Sequence, residues 1–192
     1  MYHKLTWYKP GKIIYVNDKM QNNYSYQLTC KPGKNFDSLF TPYLSPSSML
    51  KYGVFEGKYL NDCVKEFPIE WYKNAKISKN ADENMNLFKI KSRLSLQNWR
   101  SRGWIPITTG DKDVRGWFQW YCRYWLGRRD SNVDHIQIAR WRSFIRHQGQ
   151  ILSSLKKIPK NERPKTRKQL LNHRPKQRQA LLQWAYNPFV TL

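Results

Sequence analysis

The segment Trp117-Phe118-Gln119-Trp120-Tyr121-Cys122-Arg123-Tyr124-Trp125-Leu126 constrains the fold of this chain more than any other. On a helix, Trp120, Tyr124, Trp117, Tyr121, Trp125, Phe118 and Cys122 cover more than half of the circumference and leave Arg115, Gln119 and Arg123 in one narrow stripe. A helix so widely apolar is stable only when the rest of the chain surrounds it. The pattern therefore predicts a central helix over about 114–126, capped by Asp111 or Asp113, stopped at Gly127, and carrying an arginine seam.

The remaining sequence can supply that surrounding. Of 192 residues, 40% are hydrophobic and 15% aromatic, with nine Trp and twelve Tyr. Aromatic side chains bury roughly 150–250 Å² each, which separates this chain from a disordered basic tail. The length suits one domain with an extension, and no repeat period is visible.

Thirty-five Lys and Arg stand against 13 Asp and Glu, a formal charge of +22. Like charges at that density repel, and phosphates of a polyanionic partner relieve the repulsion. The charge is unevenly placed: residues 1–90 carry +5 and residues 91–192 carry +17, and all 14 arginines lie between Arg93 and Arg178. Guanidinium groups bind phosphate bidentately and stack on rings, whereas lysine is a hydrated point charge. The segregation points to recognition of DNA or RNA, with internal stacking of arginine on tryptophan as the plainer alternative.

A pass along the chain predicts three portions. Residues 1–90 mix β-like runs around Ile13-Ile14-Tyr15-Val16 and Tyr24-Ser25-Tyr26 with turns at Pro10-Gly11, Asn22-Asn23 and Pro32-Gly33, then a short helix capped by Ser45 before Pro46. Residues 91–155 form an Arg/Trp-rich helical core. Its second helix runs from a cap at Ser131 or Asn132 to about Gln148, with Gly149 as the stop, Ile138, Trp141, Phe144, Ile145 and Gln148 inward, His135, Arg142 and Arg146 in one stripe, and Arg140 and His147 on a second exposed ridge. Residues 156–192 form a basic, proline-punctuated linker and a C-terminal helix that Pro175 starts. The fold class is mainly α with a small β or extended N-terminal portion.

The candidate nucleic-acid contacts are Arg115, Arg123, Arg128, Arg129, Arg140, Arg142 and Arg146 around the two core helices, and Arg163, Lys165, Arg167, Lys168, Arg174, Lys176 and Arg178 beyond them. The two helices resemble a helix-turn-helix in outline only, because Val133 and Asp134 at the start of the second are not basic. Contact along the phosphate backbone is the better reading. Arg123-Tyr124-Trp125 and Arg140-Trp141-Arg142 could form stacking platforms for unpaired bases, although tryptophan in helical register is more often core.

Catalysis has weaker support. Asp111, Asp113, Asp130, Asp134, His135, Glu66, Glu70, His147 and His173 are the acid and base candidates, for a metal-dependent nuclease or a base-acting enzyme. No metalloprotease, Walker, dinucleotide or serine-nucleophile signature accompanies them. Cys30, Cys63 and Cys122 show neither CxxC nor Cys/His spacing, so reduced thiols are expected, and neither a metal nor a cofactor is indicated. A third class, a cement protein meeting an acidic protein partner, fits the same charge.

The stretch from Asp113 to Arg129, and Arg174-Pro175-Lys176-Gln177-Arg178 through Tyr186, resemble a family of basic, aromatic-rich proteins of large DNA viruses and microbial eukaryotes. That family is uncharacterised and has no established activity; the resemblance favours a viral or particle-associated setting and transfers no functional residues. No signal-peptide run or membrane span is visible, so a cytoplasmic or nuclear chain, neither secreted nor membrane-embedded, is expected.

Overall fold

The computed structural model describes residues 2–92, 96–103 and 112–192. Helices dominate it, with one small antiparallel sheet near the N-terminus. Strands β1 (Ile13–Val16) and β2 (Tyr24–Gln27) pair with Ile14 opposite Tyr26 and Val16 opposite Tyr24. Alternation sends Ile14, Val16 and Tyr26 inward and leaves Ile13 and Tyr15 exposed. Asp18 shapes the loop between the strands, its Oδ1 accepting from the backbone N–H groups of Met20 at 2.8 Å and Gln21 at 3.1 Å.

Helix α1 (Pro46–Lys51) begins as the sequence predicts: Pro46 occupies the first turn and Ser45 Oγ accepts from the Ser48 N–H. Four short 3₁₀ turns follow, at Val54–Gly57, Val64–Glu66, Ile69–Trp71 and Glu83–Met85. After α2 (Leu96–Ser101) comes the aromatic helix, α3 (Trp117–Leu126), in which nine of ten residues are buried. Its seam is not a surface stripe. Gln119 and Arg123 are fully buried, and Gln119 Oε1 reaches back to accept from the Arg115 N–H at 2.9 Å.

The start of α3 differs from the expected cap. Gly116 occupies that position, Asp113 bonds arginines instead, and Asp111 lies outside the described residues. The end matches expectation. Gly127 closes α3 at φ 115°, and its carbonyl accepts from the N–H groups of Thr29 at 2.9 Å and Cys30 at 3.2 Å. A β-carbon there would stand 2.0 Å from the Cys30 carbonyl oxygen. Gly127→Ala should therefore cost at least about 2 kcal/mol, from the left-handed backbone and the clash together. A urea midpoint unchanged from wild type would refute that.

Helix α4 (Ser131–Ser143) starts one residue earlier than a Ser131 cap would place it. Asp130 is the cap residue, and its N–H donates to Asp134 Oδ2 at 2.8 Å. The predicted single helix to Gln148 is instead two. It breaks at Phe144 and Ile145, resumes as α5 (Arg146–Lys156), and runs through Gly149. At the break Phe144 stacks on Trp184 with ring centroids 3.9 Å apart, whereas Ile145, expected inward, is exposed. Glycine inside a helix costs about 1 kcal/mol, and burial of Ile151 and Leu155 outweighs it.

Helix α6 (Arg167–Asn172) opens with a reciprocal cap between Thr166 and Gln169, and α7 (Pro175–Gln183) starts at Pro175 as predicted. Both α5 and α6 pack on α7. One hydrophobic cluster runs from Tyr8 through α3 to Val190, so the three portions of the sequence share a core. Backbone bonds tie its ends together: the Tyr43 and Leu44 N–H groups donate to the Ala185 carbonyl at 2.7 and 3.1 Å. No helix of the described residues is long and apolar enough to cross a membrane.

Candidate nucleic-acid interface

The arginines form two populations, separated by burial. Arg115, Arg123, Arg128 and Arg178 lie in the interior, so these four expected phosphate contacts are structural instead. Arg123 is the hub. Its Nε and Nη2 donate to the two Glu66 carboxylate oxygens at 2.5 and 3.0 Å, Nη2 also reaches Gln21 Oε1 at 2.9 Å, and Nη1 bonds Asp113 Oδ1 at 3.1 Å and the Lys112 carbonyl. Arg128 grips the same Asp113 through both oxygens, at 2.9 and 2.6 Å. The Tyr26 hydroxyl donates to Glu66 at 3.1 Å, and the Tyr24 and Tyr26 rings flank the Arg123 guanidinium.

Burial disfavours the Arg123 charge, yet Glu66 and Asp113 more than offset it, and its pKa is raised. Burial first, and the Glu66 charge second, push the Tyr26 phenol well above its ordinary range. Arg115 is held by Asp18 at 3.1 Å and Asp62 at 3.2 Å.

Arg178 has no carboxylate within ion-pair distance among the described residues. Its guanidinium donates to the carbonyls of His173, Pro188 and Val190, which pins the C-terminal residues to α7. Burial pulls its pKa down to about 10, so it stays a cation at neutral pH.

Arg129 is intermediate in exposure and also spent on structure. It lies over the Tyr124 ring at 3.8 Å and donates to the carbonyls of Lys34 and Asn35, each at 2.9 Å. The two expected stacking platforms are closed as well. Tyr124 is buried, and Trp141 stacks on Tyr186 with centroids 4.5 Å apart while its Nε1 donates to the Trp184 carbonyl. With α3 enclosed, the helix-turn-helix outline cannot dock on a duplex, because its first helix has no free face to cross the backbone.

The second population faces outward. Arg142, Arg146, Lys165, Arg167, Lys168, Arg174 and Lys176 are exposed, and Arg140 and Arg163 are partly so. From His135 to Leu192 there are 13 basic residues and one acidic residue, Glu162. Every ion pair between described residues belongs to Lys112, Arg115, Arg123 or Arg128. Among the described residues, the seven exposed cations therefore have no carboxylate to displace. Several outward arginines are ordered nonetheless: Arg167 lies over the Phe189 ring at 4.4 Å, Arg174 Nε donates to Ser154 Oγ at 3.1 Å, and Arg163 Nε to the Ile158 carbonyl at 3.0 Å.

Lys156, Lys157 and Lys160, at the end of α5 and in the turn after it, are exposed as well. Sequence pattern assigns them only to a linker, and the near absence of acidic residues after Asp134 is the signal that marks them. The partners of the internal arginines carry no such signal, since Glu66 and Arg123 lie 57 residues apart and Asp18 and Arg115 lie 97 apart.

The acid and base candidates among the described residues have structural partners, and Asp111 lies outside those residues. Asp130 pairs with Lys112, Asp134 accepts from Trp120 Nε1 at 2.8 Å, Glu70 accepts from the Leu5 N–H at 3.0 Å, and His135 Nδ1 lies 2.7 Å from the Ser131 carbonyl. His147 lies 3.3 Å from Gln150 Oε1, and His173 lies 3.2 Å from Ser154 Oγ. No group of three His, Cys, Asp or Glu able to hold a metal ion occurs among the described residues. Cys30, Cys63 and Cys122 are free thiols.

What the fold and the surface define is a mainly helical protein in which Asp18, Asp62, Glu66 and Asp113 pair with the buried Arg115, Arg123 and Arg128, while Arg142, Arg146, Lys165, Arg167, Lys168, Arg174 and Lys176 are exposed with no carboxylate in ion-pair distance among the described residues. Comparisons with protein-family models, curated proteins and solved structures find no match.

Proposed function

We propose that this chain binds the phosphate backbone of DNA or RNA through the face that runs from Arg142 and Arg146 through Lys156, Lys157 and Lys160 to Lys165, Arg167, Lys168, Arg174 and Lys176. The observation that carries this reading is the division of the charges. Asp18, Asp62, Glu66 and Asp113 pair with internal arginines, and the cations of this face have no carboxylate within ion-pair distance among the described residues. A surface of that kind carries condensed anions in solution, and phosphates release them. Contact with the backbone alone implies little sequence preference. A place in a virion or nucleoprotein particle, coating or packing nucleic acid, is compatible with the same charge.

Anisotropy titrations of labelled duplex and single-stranded oligonucleotides at several salt concentrations test this. The logarithm of affinity should fall linearly with the logarithm of salt, by roughly 0.9 per phosphate engaged on duplex and roughly 0.7 on single strands. No binding at low salt, or binding without a salt slope, overturns the proposal. Co-purification of an acidic protein that survives nuclease treatment, in a preparation that binds no oligonucleotide, would assign the face to protein instead.

A further inference from the structure

A cavity of about 510 Å³ opens between α2, the 3₁₀ turn after Gly53, the start of α3, the α4–α5 break and α7. That is within the range of roughly 300–1,000 Å³ typical of small-ligand sites. Its walls are flat rings: Phe55, Trp99, Trp117, Phe118, Phe144 and Trp184. Trp184 lies 3.9 Å from Phe144 and 4.5 Å from Trp117, centroid to centroid.

Two polar atoms on the lining residues break the apolar pattern. Tyr59, 6% exposed, and Trp117, 8% exposed, each bury a polar atom, the Tyr59 hydroxyl and Trp117 Nε1, that has no hydrogen-bond partner among the described residues and lies behind the cavity wall rather than on its surface. Buried polar groups are rarely left so. Arg146, exposed and also lining the cavity, holds its guanidinium 5.3 Å from the Phe144 ring with no carboxylate in ion-pair distance among the described residues.

We infer that this cavity receives an unpaired nucleobase of a single strand, with the adjoining phosphate on Arg146. The inference rests on the backbone-binding reading above, because the strand reaches the cavity from the cationic face. Each element of the site selects one part of a nucleotide. The rings stack on a planar base, which is worth roughly tenfold or more in affinity per base. The arginine meets the phosphate that a neutral aromatic compound would not bring.

The test compares a single-stranded oligonucleotide with an abasic strand of equal length and charge, at one salt concentration. The base-containing strand should bind roughly tenfold tighter or better. Ser143→Trp, at an exposed position on the cavity lining, should fill the cavity and make the two strands equal, with an unchanged urea midpoint. Equal binding of both strands by the wild-type protein overturns the inference and leaves the backbone reading standing, whereas failure of both strands to bind overturns both. Discrimination that persists in Ser143→Trp places the base elsewhere and overturns it too. Displacement of a 2-aminopurine-labelled strand by free adenosine monophosphate, at concentrations below those at which the strand saturates the protein, would assign the cavity to free nucleotide instead.

Discussion

Replacing Arg123 by methionine is expected to destabilise the fold by about 3–5 kcal/mol, the usual cost of removing one partner from a buried ion pair. Methionine fills much of the volume, so the cost is chiefly electrostatic. Glu66 would remain buried as a carboxylate with the Tyr26 hydroxyl as its remaining side-chain donor. Against a total stability of about 5–15 kcal/mol, this is a large fraction, and at about 2–4 °C per kcal/mol for a chain of this size the melting temperature should fall by at least about 6 °C. Glu66→Gln should also destabilise. Made together, the two changes should cost at least about 1.5 kcal/mol less than their sum, since neither leaves a lone charge facing the other's position. An Arg123→Met protein within about 1 kcal/mol of wild type in urea titrations would show that the network holds nothing together.

The second large effect belongs to the outer cations. Lys157→Gln, Lys165→Gln, Lys168→Gln and Lys176→Gln in one chain remove four exposed charges for which no side-chain bond or ion pair occurs among the described residues. Stability should stay within about 0.5 kcal/mol per site, as for other surface changes. The salt slope for duplex binding should fall by roughly 3 to 4 units, about 0.9 for each phosphate that no longer meets a cation. The matching Lys→Arg chain should retain its slope, because the charge is kept. A four-glutamine protein with wild-type salt dependence would place the binding surface elsewhere.

These two experiments separate arginines that the sequence presents as alike. Arg115 and Arg123, four residues either side of Gln119, read as a solvent-facing seam because polar residues on an apolar helix usually face water. They face inward because acids from the other half of the chain meet them there. No local pattern announces such partners. Hydrophobic period, by contrast, reveals α3 and its burial, and local chemistry reveals the Ser45–Pro46 helix start, the Gly127 stop and the Pro175 restart. The α4–α5 break is invisible to either, since the contact found there, the stacking of Phe144 on Trp184, spans 40 residues. The cavity is hidden for the same reason, its lining being drawn from residues 55 to 184.

The placement of the counter-ions has a consequence for how the chain reaches this state. Glu66 and Asp18 must meet Arg123 and Arg115 across 57 and 97 residues, and loops of that length close slowly relative to local helix formation. Until they close, α3 is an aromatic helix with uncompensated guanidinium groups and no enclosing chain. Such a helix is soluble by its charge and adhesive by its rings, which exposes the folding chain to association with its own copies. Any polyanion met at that stage would find these same arginines before their acids do, and binding it would then compete with closure of the core.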